Sequence, residues 1–392
     1  MDNVPPSRIL IVDDATENID ILTAALTGYR KMIALNGERA LKLAFSDNPP
    51  DLILLDINMP GMDGYEVCKT LKTNEKTREI PVIFLTANTD SESIIRGFEV
   101  GANDYITKPF NMGEMLARVK THLALKKSKD DIARLLLDIE SKNRLITSSI
   151  EYAQTIQQAL LPSDDRLDQL LPENFILYHP KDIVSGDFYW VRQADGSVLV
   201  AAVDCTGHGV PGAFMSILGL SFLNEVTRSK YCCPADILDQ VREKVKHALK
   251  QKGEFAEQRD GMDIALVQLG NDHRSLKYAG AYNPLYLVRE GELTEYKGDR
   301  QPVAIHYREK PFTNHTVDLL PGDSFYIFSD GFADQIGGEH DRKLMSGTFK
   351  EWLREIAGEP MQKQKMILEE RIRTWQGDNE QTDDMLVIGV RV

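Results

Sequence analysis

Residues 125 to 161 contain neither glycine nor proline, and apolar side chains recur through them at alternating spacings of four and three. A run of that length and period predicts one uninterrupted helix. Its stripe is Ile132, Leu136, Ile139, Asn143, Ile146, Ile150, Ala153, Gln157 and Leu160. Written as heptads, Ile132, Ile139, Ile146, Ala153 and Leu160 fall at d. Asn143 falls at a, where a polar residue fixes register and oligomer state. The stripe is read as the seam of a homodimeric coiled coil in preference to a face packed on its own chain. Pro162 ends the segment. The chain is thus expected to divide into 1–124, a helical coiled-coil linker at 125–162, and 163–392.

The two flanks have different patterns. Residues 1–124 alternate apolar runs ("RILIVDD", "KMIALN", "DLILLDINMP", "IPVIFLTA", "NDYITKPF") with amphipathic stretches, which predicts a doubly wound parallel α/β sheet. Beyond 163, strands follow one another without intervening helices ("SLKYAGA", "PLYLVREG", "ELTEYKG"), so an antiparallel β-sandwich flanked by helices is expected. A net charge of −14 argues against a nucleic-acid binder, because phosphate contacts need a basic face. No leader is read at the start, and no apolar run is read as approaching the roughly 20 residues of a membrane span, so a cytoplasmic location is expected. Cys68, Cys205, Cys232 and Cys233 show neither CxxC nor CxH spacing, against both a disulfide scaffold and a zinc site.

Asp13 and Asp14 end one apolar strand and Asp56 ends another, and such strand ends converge on one crevice in an open parallel sheet. Three carboxylates there repel one another unless a cation intervenes, and all-oxygen ligands favour Mg²⁺. Thr86 lies 30 positions and Lys108 52 positions after Asp56, with Tyr105 and Pro109 beside Lys108. Over 7–123 this set resembles the receiver domain of two-component response regulators, a flavodoxin-like fold. The resemblance implies that Asp56 accepts a phosphoryl group from a histidine kinase or phosphotransfer protein. It implies that Asp13, Asp14, Asp56 and the Asn58 carbonyl hold Mg²⁺, that Lys108, Thr86 and Tyr105 form the switch, and that Lys108–Pro109 is commonly cis.

The second half repeats the motif of an acid where apolar sequence meets a turn: Asp187 in "SGDFYW", Asp204 in "AAVDCTGHG", Asp330 in "YIFSDGF", and Asp383 and Asp384 in "QTDDMLVIGV". Gathering four carboxylates costs several kcal/mol unless cations offset them. Two divalent ions would balance four charges and acidify a shared water for attack on a phosphate ester. Together with "DCTGHGVPGA", "AGAYNPLYL" and "SDGFADQIGG", these stretches resemble the SpoIIE-like branch of metal-dependent (PPM) serine/threonine phosphatases over about 175–392.

The resemblance implies that Asp204 bridges two Mn²⁺ or Mg²⁺ ions and that Asp187, Asp330, Asp383 and the Cys205 carbonyl complete the shell. Asp383 is preferred to Asp384 as ligand. The Cys205 sulfur is then a buried packing group, since an acidic neighbourhood raises a thiol pKa. His208 is read as a bystander or loop-orienting residue, with proton donation to the leaving oxygen as the other reading. Lys181 is a surface lysine in preference to a phosphate anchor, and Asp263 a turn or surface acid in preference to a third-metal ligand. Gly209-Val210-Pro211 leads into a helix expected to start near Gly212, which either offers N–H groups to phosphate or is structural.

The combined expectation is a response regulator whose output is a phosphoserine/phosphothreonine phosphatase, with a phosphoprotein substrate such as an anti-sigma-factor antagonist. The alternative is a non-catalytic, receiver-controlled adaptor that sequesters a partner protein.

Overall fold

The computed structural model describes residues 6–87, 91–171, 173–194, 196–228, 233–251 and 260–392, so Cys232 lies outside the described residues. The chain forms two compact units, Met1–Asn143 and Arg144–Val392.

In the first unit, strands β1 (Arg8–Val12), β2 (Arg30–Ala34), β3 (Leu52–Asp56), β4 (Val82–Thr86) and β5 (Asp104–Thr107) alternate with helices α1 (Thr16–Ala25), α2 (Gly37–Ala44), α3 (Gly64–Thr73) and α4 (Ser91–Glu99). All strand pairs are parallel, in the order β2-β1-β3-β4-β5. That is the flavodoxin-like winding, whose switch point lies at the carboxyl ends of β1 and β3. β3 and β4 are buried along their whole length. Helices cover both faces of the sheet, which is why these strands read as continuous apolar runs.

Helix α5 (Met112–Leu160) runs 49 residues, so the helix expected from 125 begins thirteen residues earlier, without a break at 124. Ile132, Leu136, Ile139 and Ile146 are each more than half exposed along it. The stripe does not stay exposed to its end. Gln157, read as a seam position, is buried against its own chain, bonded to Ser185 and Ser216.

In the second unit α6 (Asp164–Leu170) precedes β6 (Asn174–His179), β7 (Phe188–Ala194) and β8 (Ser197–Cys205). Helices α7 (Gly209–Val226) and α8 (Pro234–Ala248) lead to β9 (Met262–Gly270), β10 (Ser275–Ala281), β11 (Leu285–Arg289), β12 (Glu292–Tyr296), β13 (His315–Asp318) and β14 (Ser324–Phe328). The chain continues through α9 (Gly331–Asp334), the short pair β15 (Ile336–Gly337) and β16 (Arg342–Lys343), α10 (Met345–Ile356), α11 (Met361–Gln376) and β17 (Met385–Arg391). Two five-stranded antiparallel sheets result, ordered β13-β10-β9-β8-β7 and β12-β11-β14-β17-β6.

Alternation along β8 explains the layers. Val198, Val200 and Ala202 meet Leu285, Phe325, Ile327 and Ile388 of the other sheet. Leu199, Ala201 and Val203 turn the other way, onto Leu220 and Leu223 of α7 and Leu238 and Val241 of α8. On the far side, Tyr326 and Val387 pack against Phe349, Leu353 and Leu368 of α10 and α11. Helix α7 is, among the described residues, the one helix long and apolar enough to cross a membrane, contrary to the expectation of no such run. Its buried residues, Met215, Leu220 and Leu223 among them, cover the sheet.

Phe325 is fully buried between the sheets. Phe325→Ala is expected to cost about 3–5 kcal/mol, read as a lowered urea midpoint for the second unit. An unchanged midpoint would contradict this packing.

Candidate active sites

At the carboxyl ends of β1 and β3, Asp13, Asp14 and Asp56 bring ligand oxygens within 4.8 Å of one another. Asp13 and Asp56 are buried and Asp14 is exposed, so the trio opens to solvent on one side. Lys108 Nζ stands 2.8 Å from Asp13 Oδ2 and 2.9 Å from Asp56 Oδ1. Asp13 is held further by Asn18 Nδ2 and the Ala15 N–H. Burial raises the Asp56 carboxyl above its ordinary value, with Lys108 opposing that shift. Lys108–Pro109 is cis. Asn58 lies exposed two residues past β3. Thr86 and Tyr105 line one shallow cleft with Phe84, Ile94 and Phe98.

In the second unit the four expected acids come together from sequence-distant elements. Asp187 precedes β7, Asp204 sits near the end of β8, Asp330 follows β14 and Asp383 precedes β17. Asp187, Asp204 and Asp330 are each perturbed by other acids of the cluster. Asp187 is raised well above its ordinary value by burial first, then by Asp204, Asp384 and Asp383. Asp204 is pushed up to about 9 by burial, Asp330, Asp263 and Asp383. Asp204 and Asp330 are close enough to share a hydrogen bond. No three acids here reach the spacing of the Asp13 trio, the sole such group among the described residues.

One oxygen decides what the pocket lacks. Asp187 Oδ2 is buried with no hydrogen-bond partner. A buried carboxylate oxygen without a donor costs free energy that a cation would recover. All-oxygen donors of this kind fit Mn²⁺ or Mg²⁺, so the residues present match a divalent metal centre.

Asp384 differs from its neighbour. Its Oδ1 accepts from the Lys181 N–H and its Oδ2 from the Gly186 N–H, both at 2.7 Å. It therefore fastens the loop that carries Asp187. Gly186 and Gly212 meet at the Gly207 carbonyl oxygen, which a Cβ on either would strike. The Cys205 thiol is buried and raised well above its ordinary value by burial and then Asp204, so no thiolate nucleophile forms there.

Several placements differ from the sequence reading. Asp263, expected at a turn or surface, lies in β9 directly opposite Asp204. Burial and Asp330 push it up to about 7. Lys181 and His208, read separately, form a cluster: Lys181 Nζ lies 3.1 Å from His208 Nε2, and His208 Nδ1 lies 2.6 Å from Asp182 Oδ2. Asp334, which no motif flagged, adds charge against Asp330 while its own carboxylate pairs with Lys343. Helix α7 starts at Gly209, three residues before its expected start, with His208 as an extended N-cap.

Known proteins share both halves. The response regulator receiver domain model matches residues 9–120, and that of Stage II sporulation protein E (SpoIIE) matches residues 194–392. The chain belongs to the SpoIIE family. It joins a receiver domain to a SpoIIE-type phosphatase domain. The SiaA-PP2C domain of Pseudomonas aeruginosa is 35% identical with a TM-score of 0.58, the match covering 64% of this chain and 98% of that one. The response regulator PleD of Caulobacter vibrioides is 43% identical over 128 residues, 32% of this chain and 28% of the relative. The DNA-binding dual master transcriptional regulator RpaA of Synechocystis is 43% identical over 118 residues, 30% of this chain and 48% of the relative. The chain thus spans under half the length of these two curated relatives.

The acid cluster fixes a pH dependence. Unfolded aspartates titrate near about 3.9. Asp263 and Asp204 hold their protons to about 7 and about 9 in the metal-free fold. The folded state therefore binds more protons across that window, and stability falls as pH rises through it. In chelator, the melting temperature of the SpoIIE-type domain should drop between about pH 5 and about pH 9. Mn²⁺ should raise it more at the upper end. A flat profile in chelator would contradict the cluster.

Proposed function

We propose that this chain is a cytoplasmic response regulator whose output is metal-dependent hydrolysis of a phosphoserine or phosphothreonine ester. The observation that carries the reading is the buried Asp187 Oδ2 without a donor among acids that raise one another. Asp187, Asp204, Asp330, Asp383 and the Cys205 carbonyl would hold two Mn²⁺ or Mg²⁺ ions. Bound there, the ions supply charge compensation and acidify a water.

The chain's own groups do the rest. Asp384 keeps the Asp187 loop in place through the Lys181 and Gly186 amides. Lys181, whose backbone N–H is held by Asp384, brings an ammonium group beside His208, where a phosphate dianion gains from a point charge. With Nδ1 held toward Asp182 and Nε2 facing the Lys181 ammonium, the His208 ring orients the Lys181 and Asp182 side chains of the opposing loop.

Asp56 is the phosphoacceptor for a histidine kinase or phosphotransfer protein. Asp13, Asp14 and the Asn58 carbonyl would hold Mg²⁺ beside it, and Lys108 offsets charge on the incoming phosphoryl oxygens. Thr86 and Tyr105 share one cleft, the arrangement a coupled switch needs. The substrate is a phosphorylated regulatory protein of the anti-sigma-factor-antagonist kind. A second copy of the chain would pair along Ile132, Leu136, Ile139 and Ile146, with Asn143 fixing the register. All the expected acids are present, which weighs against a pure adaptor.

Hydrolysis of p-nitrophenyl phosphate with Mn²⁺ tests the enzyme. Asp204→Ala should lower kcat/KM by at least about 10³-fold, since it removes the shared ligand. Asp56→Asn should leave a basal rate that no longer responds to acetyl phosphate. Wild-type turnover by Asp204→Ala would overturn the assignment.

A further inference from the structure

Gln157 lies on α5 and is 3% exposed. Its Nε2 donates to the Ser185 carbonyl at 2.6 Å and to Ser216 Oγ at 2.8 Å. Its Oε1 accepts from the Ser185 N–H at 3.1 Å. One side-chain amide thus satisfies both backbone groups of a single, fully buried residue, as a neighbouring strand would. Leucine has the size for this position and no polar group. Glutamate keeps the acceptor and loses both donor hydrogens.

Ser185 opens the loop that carries Asp187, and the other ties on that loop come from the phosphatase fold itself. The Gly186 N–H donates to Asp384 Oδ2, the Asp187 N–H to Ser185 Oγ at 3.0 Å, and Tyr178 OH to the Asp187 carbonyl at 3.1 Å. The loop backbone is therefore tied at Ser185, Gly186 and Asp187, yet Asp187 Oδ2 is left without a partner. A rigidly held carboxylate with one unsatisfied oxygen is what a preorganised cation ligand requires. Ser216, the third partner, belongs to α7, the helix that starts at the end of the Asp204 loop. The amide joins three elements: α5, the Asp187 loop and α7.

We propose that Gln157 is a positioning residue for the metal centre, through which the placement of α5 sets how firmly Asp187 is presented. This rests on reading Asp187 as a metal ligand. A shift of α5 that withdraws Gln157 leaves the buried N–H and C=O of Ser185 unpaired, so the loop relaxes and metal affinity falls. The amide touches neither substrate nor ion, so its loss acts on affinity for the metal and spares the chemical step.

The test uses the full chain as wild type, Gln157→Leu and Gln157→Glu. Hydrogen exchange of the 183–187 amides is followed first in chelator, with no metal and no turnover involved. Both variants should exchange at least about tenfold faster there while amides of the receiver sheet keep wild-type rates. Mn²⁺ is then titrated against p-nitrophenyl phosphate hydrolysis. The half-activating concentration should rise at least about tenfold, with kcat at saturating Mn²⁺ within about threefold of wild type. If Gln157→Leu is globally destabilised, Gln157→Glu decides. Wild-type exchange in that loop overturns the proposal, and so does faster exchange with an unchanged Mn²⁺ titration. An Asp204→Ala chain that hydrolyses normally sinks the metal-centre reading and the proposal with it, whereas a Gln157 failure alone leaves that reading standing.

Discussion

Carboxylates that share a buried pocket cannot all be ionised without compensation, and both halves of this chain are built around that repulsion. The receiver domain and the SpoIIE-type domain meet it differently. In the receiver, Lys108 already supplies one positive charge to Asp13 and Asp56, and Asp14 stays at the solvent edge. Among the described residues, no such internal cation is bonded to Asp187 or Asp204 of the phosphatase domain. Their burial instead drives protons onto them, up to about 9 at Asp204. A site that holds protons so far above the ordinary aspartate range is poised to exchange them for doubly charged ions.

The fold makes that exchange possible by separating stability from function. Three apolar layers secure the sandwich: the inter-sheet core and the two helix–sheet interfaces. The acids sit at strand ends and in the loops between them, outside the three apolar layers. Asp384 shows the division within one dipeptide. Its carboxylate is spent on two backbone amides, which frees Asp383 to face the cluster.

Much of this was legible in the sequence, for physical reasons that differ by residue. Asp13, Asp56, Asp204 and Asp330 stand where apolar strands stop, and a strand end is a local signal. The same holds for Lys108 beside Pro109. Asp263 was not legible in that way. It opens a strand of alternating pattern, and its meaning comes from the antiparallel register that sets it opposite Asp204, a relation 59 residues long. Gln157 was misread for a related cause. Heptad spacing assigns it to a seam, whereas its amide is matched by Ser185 and Ser216, 28 and 59 positions away. The Lys181–Asp182–His208 cluster likewise forms only when two loops meet. Local pattern reveals which residues are available for chemistry, while tertiary pairing decides how they are held.

The central claim is that the phosphatase pocket is completed by divalent cations, and anomalous scattering from crystals grown with Mn²⁺ tests it most directly. The account predicts two manganese peaks lying among Asp187, Asp204, Asp330 and Asp383, with a carbonyl from Cys205 directed at one of them. An empty pocket under saturating Mn²⁺, with those aspartates turned toward lysine or arginine side chains, would contradict it.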